Sequence, residues 1–284
     1  MARITPFIPE ETRRLSGQAT VPAVEFRNVT KRFALGSRPE EALTALDGVN
    51  LVIQRGEFVC VLGPSGHGKS TMLNLLAGFI KPSEGEVLHA GRPVTGPGPE
   101  RGVVFQRDTL FLWKRVSDNI TFGLRARGVP RRERDAIAAH YLKLIELERF
   151  AQAWPRQLSG GMRRRVAIAA VFANRPDVLL MDEPFTGLDY VRRERLYRVL
   201  ENLWREVGST VFFITHDVDE ALTLADRIVI VVRGKVVHET SVPFPRPRSP
   251  ELIAGPDAVG YRLELLHQLG QAFTETAEPG PPAV

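Results

Sequence analysis

Two stretches of the 284-residue sequence hold residue types that can handle a nucleotide. The first, "GPSGHGKST" from Gly63 to Thr71, fits the spacing G-x-x-x-x-G-K-[ST]. Glycines at those positions let the backbone curl so that successive N–H groups, and the N-terminus of a following helix, face phosphate oxygens. The candidate phosphate contacts are therefore Gly63, Pro64, Ser65, Gly66, His67, Gly68, Lys69, Ser70 and Thr71. Within them Lys69 would neutralise the β- and γ-phosphates, and the Ser70 hydroxyl would ligate Mg²⁺. His67 stands at an unconstrained position of the pattern and is assigned no catalytic part. The second stretch, "VLLMDEP", brings four apolar residues to a pair of carboxylates. Ligands of open α/β sheets bind at that end of a strand. Asp182 would hold Mg²⁺, directly or through water, and Glu183 would orient and deprotonate an attacking water.

The surrounding pattern supplies elements to position both. "FVCVLG" is apolar throughout, as in a parallel strand covered on both faces, and "KSTMLNLLAGF" continues as a helix to Gly78. Upstream, "AVEFRNVTKRF" alternates as a half-buried strand, and Leu46 to Gly63 reads as two strands joined at Arg55 and Gly56. "RGVVFQ" is a further short strand. From about 107 to 172 the pattern turns helical and Arg-rich, a helical subdomain inserted into an α/β core. The core resumes with "DVLLMDEP", the helix "RRERLYRVLENLWREVG", the strand "TVFFITH", a helix around "VDEALTLA", and the strand pair "RIVIV" and "KVVHE". "SVPFPRPRSPE" can be neither helix nor central strand. A short helix "YRLELLHQLGQAF" and a disordered end follow. The expected division is an N-terminal extension over 1–22, an ATPase domain over 23–240 and a C-terminal extension over 241–284.

Composition narrows the class. The formal charge of +5 is mild, and no apolar run approaches the roughly 18 residues of a membrane span. The first residues lack a signal-peptide pattern, so a cytosolic protein is expected. Cys60, alone of its kind and inside an apolar strand, reads as a buried core thiol. The basic run from Arg125 to Asp135 reads as a solvated helix face, with anionic lipid or nucleic acid as the other partners such a run can meet.

With these motifs in place the chain resembles the ATP-binding subunits of ATP-binding cassette transporters. Further stretches match that family in order: "VVFQ", "LSGGM" from Leu158 to Met162, "GLD" from Gly187 to Asp189 and "THD" around His216. The resemblance implies an α/β P-loop cassette with an antiparallel β subdomain, a RecA-like core and a helical subdomain, and ATP and Mg²⁺ as its ligands. It assigns Gln106 to Mg²⁺ and γ-phosphate sensing, His216 to the switch position, and Phe33 to stacking on adenine. In the family the signature of one subunit closes on the nucleotide of another, so Ser159, Gly160, Gly161 and Asp189 would complete the partner's site. A homodimer of ATPase subunits is implied, with permease subunits as partners, a solute-binding protein as an indirect one, and no nucleic acid. Its implied place is the cytoplasmic face of the inner membrane.

The finer resemblance is to importers of nitrate, aliphatic sulfonates and taurine. It rests on "VTGPGPERGVVFQ", on the Trp followed by "VSDNITFGL", on "THDVDEALTLADRIVI" and on "PFPRPR". Two positions depart from that group: Leu112 stands where Pro usually precedes the tryptophan, and Gly187 follows Thr186 where the group reads "GALD". Phe111 and Trp113 fit two roles, core of the helical subdomain or lining of a groove that receives a permease helix. A soluble cassette ATPase of DNA repair or ribosome work is the alternative. It predicts a long coiled-coil insertion or tandem cassettes, and neither is visible.

Overall fold

The computed structural model describes residues 21–34, 42–106 and 109–275. Residues 1–20 of the N-terminal extension and 276–284 of the C-terminal extension lie outside the described residues. The chain begins with β1 (Val24–Ala34), β2 (Ala42–Ile53) and β3 (Phe58–Leu62), then α1 (Lys69–Ala77), β4 (Glu84–His89), β5 (Arg92–Pro93) and β6 (Arg101–Val104). Helices α2 (Val116–Ile120), α3 (Phe122–Ala126), α4 (Arg131–Leu144) and α5 (Gly160–Phe172) fill the interval expected to be helical. The rest alternates: β7 (Val178–Asp182), α6 (Tyr190–Val207), β8 (Thr210–Ile214), α7 (Val218–Leu224), β9 (Arg227–Val232), β10 (Lys235–Ser241), α8 (Pro250–Ile253) and α9 (Pro256–Glu275).

The strands form two sheets. One is antiparallel in the order β2-β1-β4-β5, and the other runs β10-β9-β3-β8-β7-β6. In the second sheet β9, β3, β8, β7 and β6 are parallel, with β10 antiparallel at the edge. Side chains alternate along each central strand. Phe58, Cys60 and Leu62 of β3 enter a core shared with α5, α6 and α7, whereas Val59 and Val61 enter a second core with α1, β1 and β2. A strand covered on both faces must be apolar throughout, which is why β3 and β8 have every residue buried. Cys60 is fully buried, as expected.

Phe212 joins the two sheets: it is fully buried on β8, with its ring centroid 6.4 Å from that of Phe26 on β1. Phe212→Ala is expected to cost about 3–5 kcal/mol. Denaturant unfolding reads this directly, and a loss below about 1 kcal/mol would contradict a packed joint there.

Three details depart from the sequence expectation. The polar stretch holding β4 and β5 carries no strand pattern in its sequence, yet it completes the antiparallel sheet against β1. Pro250, in the stretch expected to exclude helix, takes the first position of α8, where a missing N–H costs nothing, and Ser249 caps that helix. The last helix is longer than expected and begins at Pro256. Val242, Ile253 and Leu265 of the C-terminal part pack into the same core as α7. Arg248 is buried there and donates to the carbonyls of Leu222 (2.9 Å) and Ala225 (2.5 Å), closing the C-terminal end of α7. Among the described residues no helix is long and apolar enough to cross a membrane.

Candidate active site

The loop from Gly63 to Gly68 leaves β3 at its C-terminal end and enters α1. Its glycines are required by shape. Gly63 has φ 151°, and a Cβ there would lie 2.1 Å from the Val231 carbonyl oxygen of β9. Gly63→Ala must displace backbone and is expected to lower stability by more than about 2 kcal/mol, measured as a shift in the denaturant midpoint. Gly68, in the left-handed region at φ 100°, caps α1 without a side-chain hydrogen bond, and no acid stands in the first turn. The N–H groups of that turn are thus left for an anion. His67 fastens the loop from the other side: its Nδ1 accepts from the Arg233 N–H at 3.2 Å, and its carbonyl accepts from Gly234 at 3.1 Å. Burial, then Lys69 and Arg233, push the imidazole below its ordinary pKa, which suits an acceptor nitrogen.

Lys69 is buried and donates to the carbonyls of Gly63 (2.7 Å) and Pro64 (2.8 Å). Burial lowers its pKa, while Glu183 and Asp182 oppose that shift. Next to it, Ser70 Oγ donates to Asp182 Oδ1 at 3.2 Å. Asp182 ends β7, and burial raises its carboxyl pKa against the Ser70 hydrogen bond. Glu183 follows with φ 44°, a left-handed conformation that costs a non-glycine residue about 1–2 kcal/mol. Its N–H is bonded to the Ile214 carbonyl of β8. Its Oε2 lies 3.1 Å from His216 Nδ1 and accepts from Thr186 Oγ1 at 3.2 Å. The parallel strands β3, β7 and β8 therefore deliver Lys69, Ser70, Asp182, Glu183 and His216 to one sheet edge.

The donor set fits a nucleotide with Mg²⁺. A hydroxyl beside one carboxylate leaves coordination positions for phosphate oxygens and water, which is how Mg²⁺ is usually held. Among the described residues no cluster of three or more His, Cys, Asp or Glu could hold a metal without such a ligand.

Other expected site residues stand elsewhere. Ser159 is exposed and caps α5, its Oγ accepting from the Met162 N–H at 3.3 Å, with Gly160 and Gly161 in the first turn. No hydrogen bond or ion pair joins this turn to Lys69, Ser70, Asp182, Glu183 or His216. Asp189 caps α6 and pairs with Arg192 at 3.1 Å. Phe33 lies on the antiparallel sheet, partly exposed, with Lys31 Nζ 5.1 Å from its ring centroid. Ser65, Gly66 and Gln106 present exposed positions, and Thr71 is half-buried in the first turn of α1.

Trp113 is 72% exposed and is thus no core residue of the helical subdomain. Leu112, Phe122, Phe79 and Phe105 are exposed with it, and the Phe111 ring lies 4.4 Å from that of Phe122. Buried Asn119 holds this segment in shape, accepting from the Phe111 N–H at 2.8 Å and donating to the carbonyls of Lys114 and Arg115.

Two groups near the cluster were not singled out from the sequence. Glu220 is buried on α7, its pKa raised by burial, and accepts from Thr215 Oγ1 (2.6 Å) and Tyr197 OH (3.2 Å) next to the His216 segment. Arg164 is buried on α5 and donates to the carbonyls of Phe105, Gln106 and Pro184. A signal for the arginine existed: 164, 168 and 172 share one helical face, and Ile168 and Phe172 are core.

Comparison with known proteins agrees with this geometry. The family model described as ABC transporter matches residues 46–186. A second, described as AAA domain, putative AbiEii toxin, Type IV TA system, matches 151–222. A nitrate import ATP-binding protein of Synechococcus elongatus is 43% identical over 241 residues, 83% of this chain and 88% of that protein. A taurine import ATP-binding protein of Chromobacterium violaceum is 49% identical over 210 residues, 73% of this chain and 80% of its own. Among solved structures, a dimeric post-hydrolysis ATP-binding cassette bound to ADP and Pi has a TM-score of 0.67 at 38% identity, covering 78% of this chain and 100% of that one.

Proposed function

The chain belongs to the ABC transporter family, and from that premise we propose that it is the ATP-hydrolysing subunit of an importer for a small anion, of the nitrate, sulfonate or taurine kind. One observation carries this reading: the Glu183–His216 contact at 3.1 Å stands beside the Ser70–Asp182 contact at 3.2 Å, next to a helix N-terminus that bears no competing acid. A base, its partner, a metal-holding pair and a phosphate cradle thus share one edge of the sheet. The taurine and nitrate relatives support the importer assignment and the choice of solute class.

In this reading residues 63–71 wrap the phosphates, and Lys69 exchanges its loop carbonyls for phosphate oxygens. Ser70, Asp182 and Gln106 hold Mg²⁺, which supplies charge neutralisation at the transferred phosphoryl group. Glu183 takes a proton from water as its oxygen attacks the γ-phosphorus; the bond to the β-phosphate oxygen breaks, leaving ADP and inorganic phosphate. His216 holds that carboxylate, and Phe33 stacks on adenine. Ser159 to Gly161 and Asp189 complete the site of a second copy. Residues 23–240 form the ATPase domain, flanked by extensions over 1–22 and 241–284.

The exposed surface around Trp113 and Phe111 fits an aromatic-anchored helix of a permease subunit. A peripheral position at the cytoplasmic face of the inner membrane follows, with a solute-binding protein as a more distant partner. Purification of the full chain from detergent-solubilised native membranes tests this. Membrane-spanning permease subunits are expected with it, and screening their binding protein against small anions then identifies the solute. Recovery with ribosomes or DNA and no membrane-spanning partner would contradict the proposal.

A further inference from the structure

The buried guanidinium of Arg164 joins parts of the site that are far apart in sequence. Its Nε donates to the Pro184 carbonyl at 2.6 Å, its Nη1 to the Phe105 carbonyl at 2.6 Å and its Nη2 to the Gln106 carbonyl at 2.5 Å. Pro184 directly follows Glu183, and Phe105 and Gln106 form the loop that leaves β6. The arginine is carried by α5, five residues beyond the Ser159 cap, so the helix rise puts it about 8 Å along the axis from the turn. Its neighbour Arg165 points elsewhere, donating to the Ile145 carbonyl at the end of α4 at 2.7 Å. The start of α5 is thus braced to the helical subdomain through one arginine and to both hydrolytic loops through the next.

We propose that Arg164 is a positioning residue that makes the signature turn and the two hydrolytic loops of its own chain one unit, so that closure of the turn on a partner's nucleotide resets Gln106 and Glu183. This rests on the functional reading above. A planar fork with its donors spread over three nitrogens fixes carbonyls of two loops in one set geometry, whereas a lysine ammonium gathers its donors on a single rotatable atom and fixes no such geometry. The acceptors of these three bonds are main-chain oxygens. The bonds therefore set the path of the chain at residues 105, 106 and 184, and with it the reach of the Gln106 and Glu183 side chains. Each chain offers its turn to one nucleotide and its Glu183 to another, so this bracing is also a route between two ATP sites.

The test uses Arg164→Met and Arg164→Lys in the full-length chain. ATP affinity is expected to stay within about twofold of the parent, because neither change touches the phosphate loop. The maximal hydrolysis rate is expected to fall by about 10- to 100-fold, the scale of misplaced reacting groups. The Hill coefficient for ATP, above 1 in a parent with coupled sites, is expected to fall to about 1 in both variants. A merely structural brace gives another result: a lower melting temperature and a smaller ATP-binding fraction, with the surviving protein retaining the parental Hill coefficient. That outcome, or an unchanged rate and Hill coefficient, overturns the proposal. Loss of the methionine variant to misfolding leaves the lysine variant to decide on the same criteria. Should neither fold, amide exchange in the parent decides: Phe105 and Gln106 must slow with residues 159–162 when ATP drives association, and slowing at the turn alone overturns the proposal. A parent that does not hydrolyse ATP would instead refute the functional reading, which keeps the two failures distinct.

Discussion

Glu183→Gln is expected to reduce hydrolysis at saturating ATP by about 100- to 10,000-fold, the contribution of a positioned general base. The amide nearly matches the carboxylate in size, so the contacts with Thr186 and His216 can persist in altered polarity. What it loses is the ability to take a proton from water. Lys69, Ser70 and Asp182 are untouched, and ATP affinity should be that of the parent. With binding intact and turnover stopped, the ATP-bound form accumulates. Phosphate release and equilibrium ATP titration measure the two quantities separately. Equal hydrolysis rates in variant and parent would remove Glu183 from the reaction.

Ser159→Arg is expected to abolish hydrolysis as completely by another route. Ser159 is exposed at the start of α5 and belongs to no contact of the Glu183 cluster. Replacing it removes one helix cap, worth about 1 kcal/mol, so the fold should survive. The bulky cation obstructs the turn that meets the other chain's nucleotide. Isolated monomer should therefore bind ATP as the parent does and fail to turn it over. Loss of ATP binding by the monomer would place the turn in its own chain's site and contradict a site completed in trans.

Much of the cluster was legible because its residues lie in contiguous motifs at the ends of apolar strands. Gly63 to Thr71 needs only local geometry, and "VLLMDEP" and "TVFFITH" announce their sheet position by being apolar in full. The strands β4 and β5 were not legible. Their sequence is polar and Gly-rich, and they pair because β1 offers an edge formed by residues distant in the chain. Arg164 was hidden in a different way. "MRRRV" counts as surface charge in a composition, and only packing against Phe105, Gln106 and Pro184 turns one of its arginines inward. Trp113 shows the converse, since residue type could not tell core from surface, and its solvent exposure excludes the core.

In the proposed function, Leu158 to Pro184 serves two nucleotides, its acidic end acting on the ATP of its own chain and its signature turn on that of a second copy. Light-scattering mass of the Glu183→Gln chain, with and without ATP, tests this most directly. The predicted result is a doubling of the 31.6 kDa monomer on adding ATP, lost when Ser159→Arg is added although each monomer still binds nucleotide. A chain that stays monomeric with ATP bound, or a dimer that forms regardless of Ser159→Arg, would contradict it.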